Sequence, residues 1–204
     1  EKKPDTVNRD CKTLCESSGY DEISLCSLST SDYTGLQNLL NGLFEWTIGD
    51  QVNVSLPSLR VDNFSPELME QIQKVRRSGL TFAPEAGTQR LRDAINKNVT
   101  EDEVMRTVRS AFAGGWTAVK LYFMLGLPTE TLDDVAGIAR LAQRVVDAYY
   151  QNPNKPKGKG VQVSISVASF VPKPFTPFQW EPQDTIEMLH QKQRHLKELT
   201  LIHI

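Results

Sequence analysis

The chain has 204 residues, with 23 Lys+Arg against 25 Asp+Glu, 39% hydrophobic, 24% charged and 8% aromatic. That balance excludes disorder, collagen and coiled coil, and a compact chain of this length buries about 70% of its extended surface, enough for one core without a disulfide or metal staple. A formal charge of -2 gives no long-range pull toward nucleic acid or an anionic membrane. The longest apolar runs, such as Ala118 to Leu127 with Lys120 inside it, fall far short of the roughly 20 residues that cross a bilayer. The opening EKKPD holds no apolar signal core and three cysteines cannot all pair, so a reducing cytoplasm is the expected compartment. No initiating Met is present and LTLIHI ends the chain inside a helical pattern, so 1–204 is expected to be a single-domain piece of a longer protein.

In chain order, a first helix is predicted over roughly Thr6 to Ser18, followed by a strand at Glu22 to Leu28 and another at Gln51 to Leu56. Ser65 before Pro66 starts a helix, and Gly79 to Pro84 reads as the third strand. Thr100 with Glu103 caps the next helix, before the strand Ala118 to Leu125. Thr131 with Asp134 caps another helix. The turn-rich basic loop QNPNKPKGKG (151–160) leads into the last strand, Val161 to Ala168. Asp184 with Glu187 opens a C-terminal helix in 183–204. Strand and helix alternating every 30 to 40 residues or so call for parallel strands with crossover helices.

Polar alternation narrows the choice. Val161, Val163, Ile165 and Val167 oppose Gln162, Ser164 and Ser166; Val52, Val54 and Leu56 oppose Gln51, Asn53 and Ser55; Leu121, Phe123 and Leu125 oppose Lys120, Tyr122 and Met124. Strands covered by helices on both faces would be apolar throughout, so one face here is wet. The expected fold class is α/β, a partial TIM-like (β/α) barrel with a polar lumen and about five parallel strands, the strand before Glu22 being missing.

Ligands in parallel α/β folds bind at the carboxyl ends of the strands. Glu85, between Pro84 and Ala86, suits a ribose diol or a metal, or else is a favourable acid at the start of the next helix. Arg60 and Lys97 are candidates for a carboxylate or phosphate, although such side chains are more often solvated. In GLPTET, Gly126 to Thr131, the Gly and Pro let backbone approach a flat ligand. Cys11, Cys15 and Cys26 lack metal-ligand spacing and read as reduced thiols; His190, His195 and His203 sit together only in the terminal helix and build no site.

Taken together, EISLCSLSTSDY (Glu22 to Tyr33), VNVSLPSLRVDNF (Val52 to Phe64), LTFAPEAGTQRLRDAINKNVT (Leu80 to Thr100), VKLYFMLGLPTET (Val119 to Thr131) and VPKPFTPFQW (Val171 to Trp180) resemble the radical SAM superfamily. The likeness covers about residues 20–182 and points to the branch of methylthiotransferases and of uncharacterised radical SAM proteins with an upstream cobalamin-binding-like domain. It implies a six-stranded partial barrel, (β/α)6. It also implies S-adenosylmethionine across the strand ends, chelated to a [4Fe-4S] cluster, and a 5'-deoxyadenosyl radical that attacks the substrate. On that likeness Ser27 and Ser29 stand near the methionine amino group, Glu85 faces the ribose, Arg60 or Lys97 meets the methionine carboxylate, and Leu125, Gly126 and Phe175 pack near adenine. The Gly-Gly-Glu found near the amino group in many members is absent.

The family's Cys-x3-Cys-x2-Cys signature does not occur, and Cys11 and Cys15 imitate its first half on a helix. The cluster ligands are therefore expected upstream of Glu1, with this piece inactive and the full protein active. An electron donor such as a flavodoxin or ferredoxin is implied. The substrate is a small molecule or an RNA base reaching into the lumen, and any cobalamin domain lies outside the chain. Two readings compete: an aldolase or phosphosugar lyase with Lys120 as a Schiff-base lysine, and a degenerate, non-catalytic barrel that binds RNA or protein.

Overall fold

The computed structural model describes residues 1–25, 33–55, 80–156 and 158–203. The Ser65–Pro66 helix start and the ends of the first two predicted strands lie outside them. The chain divides into two compact units, Glu1–Thr81 and Phe82–Ile204.

In the first unit, α1 (Pro4–Ser18) begins with Pro at its first turn and stops at Gly19, which takes φ 73 and returns its N–H to the Cys15 carbonyl. Strand β1 (Glu22–Ser24) pairs in parallel with β2 (Asn53–Ser55), Ile23 opposite Val54, with α2 (Leu36–Thr47) between them in sequence. Helix α2 buries Leu36, Leu39, Leu40, Leu43 and Phe44, a three-and-four spacing that makes one apolar stripe, against Cys11 and Val54. The second strand starts two residues later than predicted. Gln51 stands at φ 56 and the Val52 N–H returns to the Thr47 carbonyl, so pairing starts at Asn53, which donates to the Asp21 carbonyl.

The second unit is built on the sheet β3-β4-β5, with β3 at Leu80–Glu85, β4 at Ala118–Leu125 and β5 at Gln162–Ser169. Strands β4 and β5 are parallel, Lys120 opposite Ser164 and Tyr122 opposite Ser166. On β4 the predicted alternation holds: Val119, Leu121, Phe123 and Leu125 are buried and Lys120 and Tyr122 exposed. On β5 it does not, since Val163 and Ile165 are half-buried and Val167 is 36% exposed. The helix after β5, α6 (Ile186–His203), lays most of its contact on α5 (Leu132–Gln151), which leaves the outer strand thinly covered.

Between β3 and β4 lie α3 (Gln89–Ala94) and α4 (Glu101–Ala113). Helices α4 and α5 open with the predicted reciprocal caps, Thr100 with Glu103 and Thr131 with Asp134. At α6 the cap is Thr185, whose hydroxyl accepts from Met188 N–H at 3.2 Å, while Asp184 turns inward to Lys192 at 2.6 Å. Thr88 caps α3, which starts at Gln89, so Glu85 is the last residue of β3 and not a first-turn acid. The basic loop is pinned where Tyr149 donates its hydroxyl to the Lys159 carbonyl at 2.9 Å.

The loop leaving β3 lies directly on the first turns of α5. A Cβ on Gly87 would strike the backbone of Asp134, Gly137 and Ile138, that of Gly137 at 2.7 Å; one on Gly137 would meet Gly87 at 2.9 Å. Over this contact the Asp134 carboxylate, 3% exposed, accepts from Thr88 Oγ1, from Arg90, and from the Thr131 hydroxyl and N–H at 2.7 and 2.8 Å. Burial alone would raise its pKa, but these four donors outweigh it and hold the group at about 2, against an ordinary 3.8.

Two consequences are testable. Gly87→Ala forces backbone apart and lowers the unfolding free energy by about 1 to 3 kcal/mol, read by thermal melting; an unchanged melt contradicts the contact. Asp134 contributes about 2 kcal/mol that is present above its unfolded pKa and lost as pH falls through 4 toward 2. Urea midpoints of wild type and Asp134→Asn therefore differ at neutral pH and converge in acid, and a gap that persists down to about pH 2 contradicts this origin.

Candidate functional site at the strand ends

The wet face of the β3-β4-β5 sheet carries Lys120 and Tyr122 on β4, with Lys120 Nζ 5.0 Å from the centre of the Tyr122 ring, and Ser164 and Ser166 beside them on β5. Farther along, β3 ends at Glu85, held at φ 67, a conformation few non-glycine residues adopt. Its carboxylate lies 3.6 Å from Lys97 Nζ, and the two side chains are 28% and 34% exposed. At that distance the pair attracts without a hydrogen bond, so the carboxylate keeps its lone pairs for an incoming hydroxyl. Two residues predicted as separate ligand contacts are thus neighbours.

Arg92 fixes the backbone next to Glu85. It is fully buried, donates to the Ala86 carbonyl at 2.9 Å and to Gln89 at 3.2 Å, and lies 3.8 Å from Glu101. Burial lowers its pKa and Glu101 works against that shift. Arg92 carries no signal in the sequence, since nothing in QRLRD separates it from the exposed Arg90 two residues earlier.

The turn after β4 is the second wall. Gly126 stands at φ 81 and donates its N–H to Glu130 Oε2 at 2.8 Å, and Thr129 stands at φ 65 with its carbonyl accepting from Arg90 at 2.9 Å. Leu125 points into the core and only its backbone reaches the strand end, where its carbonyl accepts from Phe170 N–H at 2.7 Å. Ala86 and Leu127, which follow Glu85 and Gly126, share one buried cluster with Leu91 and Phe170, so the two strand ends sit side by side. Phe178 packs edge-on against Phe170 at 6.1 Å. Phe175 is 98% exposed at φ 62. Ser27, Ser29 and Arg60 lie outside the described residues.

Cys11 is buried inside α1 and Cys15 half-buried one turn on, both as free thiols. Burial, with Cys15 and Asp10 nearby, raises the Cys11 pKa; burial and Glu16 raise that of Cys15. Neither is disposed to be a thiolate. Among the described residues no three His, Cys, Asp or Glu side chains gather to hold a metal ion, and no described helix is long and apolar enough to cross a membrane.

Comparison with known proteins bears on the fold and the family. Coproporphyrinogen III oxidase (HemN) of Escherichia coli, described as a radical SAM enzyme, superposes with a TM-score of 0.54 at 14% identity, over 88% of this chain and 40% of the oxidase. That likeness bears out the fold, α/β with parallel strands in a partial TIM-like barrel arrangement. The uncharacterized protein MJ0966 of Methanocaldococcus jannaschii is 34% identical over 163 residues, 80% of this chain. The chain spans about a third of that relative's length, 33%. The family model described as Radical SAM superfamily matches residues 1–142, well over half of the 204. These matches reach the superfamily and no branch within it: the chain belongs to the Radical SAM superfamily.

Proposed function

We propose that this chain is the S-adenosylmethionine-binding core of a radical SAM enzyme, with the adenosine half of the cofactor across the ends of β3 and β4. The observation that carries the reading is Glu85, a half-exposed carboxylate at a strand end whose one partner among the described residues, Lys97, stands too far off to occupy its lone pairs. Such a group accepts both hydroxyls of a ribose diol. Lys97 beside it balances the carboxylate or meets the negative end of the methionine moiety. Gly126, buried at φ 81, shapes the turn that walls the site beyond β4. Phe175 is an exposed aromatic available to cover the base.

The residues present fit the nucleoside and do not fit the iron-sulfur cluster. Such clusters are held by Cys thiolates, and the signature the resemblance implies places three of them on one loop. Cys11 and Cys15 are helical, at least half-buried and pushed toward the thiol, and Cys26 stands eleven positions farther on. No reductive step is derived from these residues, and in this reading the cluster thiolates lie outside Glu1–Ile204. The lyase reading is weaker: Lys120 stands on the exposed face against Tyr122, and family membership points elsewhere.

Anaerobic iron and sulfide reconstitution of the full-length protein, followed by low-temperature EPR, tests this directly. About four irons per chain and a spectrum that changes on adding S-adenosylmethionine support it; absence of iron favours the degenerate barrel, and borohydride trapping on Lys120 the lyase. Glu85→Ala is expected to weaken S-adenosylmethionine binding by about 1.5 to 3 kcal/mol, roughly 10- to 150-fold, through loss of the ribose contacts. Unchanged affinity by equilibrium dialysis removes Glu85 from the site.

A further inference from the structure

We propose that Lys192, on the C-terminal helix α6, is a positioning residue for the adenosine end of the site, holding the turn Gly126–Glu130 in the shape that receives the base. The proposal rests on the reading above. Glu130 Oε2 accepts from two donors at once, the Gly126 N–H at 2.8 Å and Lys192 Nζ at 2.8 Å. Lys192 also donates to Asp184 Oδ2 at 2.6 Å. The side chains are 1%, 8% and 15% exposed for Glu130, Lys192 and Asp184, so the three charges are removed from water together.

A buried carboxylate without its cation is strongly unfavourable, and Lys192 is the cation that faces Glu130. Burial already pushes the Glu130 pKa up against the pull of Lys192 and Gly126, and burial of Lys192 is overcome by Asp184 and Glu130. The turn needs such support. Gly126 and Thr129 both take left-handed φ, at 81° and 65°, and the strained Thr129 holds that shape only where its surroundings impose it. The helix also touches the turn: a Cβ on Gly126 would come within 3.1 Å of Asp184 Oδ2 and 3.2 Å of Leu189 Cδ2. The family match stops at residue 142, so Asp184 and Lys192 tie a segment beyond it to a strand end within it.

The test compares Lys192→Met, Lys192→Arg and the double variant Lys192→Met/Glu130→Gln in the reconstituted full-length protein. The double variant removes the most deeply buried carboxylate, leaving only Asp184, 15% exposed, without its cation, and covers the case in which the single one does not fold. Affinities for S-adenosylmethionine and for 5'-methylthioadenosine, which keeps the adenosine and lacks the amino acid, are measured by equilibrium dialysis. Both ligands are expected to bind about tenfold more weakly to the Met variants, through loss of preorganisation, with affinity largely restored by Arg. Faster hydrogen exchange confined to 126–131 accompanies the loss. Wild-type affinity in the folded Met variants, or a loss for S-adenosylmethionine alone, overturns the role of Lys192 and leaves the cofactor reading standing. Failure of wild type to bind either ligand overturns both.

Discussion

The site depends on one close contact: the loop leaving β3 rests backbone to backbone on the first turns of α5, and the Asp134 carboxylate seals it. Two glycines make the approach sterically permissible, since a side chain at either Gly87 or Gly137 would meet main chain. Asp134 then serves several elements at once. It completes the capping box of α5 through Thr131, receives the hydroxyl of the α3 cap Thr88, and pairs with Arg90, which in turn holds the Thr129 carbonyl in the turn after β4. Loops at two neighbouring strand ends are therefore fixed by one buried charge with four donors. A carboxylate so well supplied is worth more to the fold as an anion than burial costs it, in contrast to Glu130, whose burial outweighs its two donors.

On that frame the chemistry divides by face. The apolar side of β4 goes to the core, which leaves Lys120 and Tyr122 on the wet side, with Glu85 and the backbone of Gly126 where the strands end. A cofactor with a ribose diol and a charged amino acid tail asks for two of those groups, a carboxylate with free lone pairs and a cation nearby. Fold likeness alone would not carry a function. The family match over residues 1–142 reaches the superfamily, and the local chemistry is what the proposed cofactor site adds to it.

Much of this was legible in the sequence where the signal is local. The β4 alternation, the two capping boxes and the punctuation of GLPTET depend on residues within a few positions of one another, and they fall where expected. Tertiary pairing was not legible. In the sequence Glu85 and Lys97 read as separate ligand contacts, yet they face each other; Asp184 reads as a helix cap, yet Thr185 caps and Asp184 neutralises Lys192. Leu125 belongs to the apolar alternation by its own parity, which sends its side chain to the core and leaves only backbone for a ligand. Burial of Arg92 rather than Arg90 follows from which side of a six-residue helix meets the core, and so short a helix gives no periodicity from which to choose.

The central claim is that S-adenosylmethionine meets this chain at the ends of β3 and β4. Hydrogen exchange of the reconstituted full-length protein with and without the cofactor reads it most directly, amide by amide. The account predicts that, within this second unit, protection concentrates in residues 83–90 and 124–131 on adding the cofactor. Saturating cofactor that leaves both segments unchanged, or protects the outer faces of α4 and α5 instead, would contradict it.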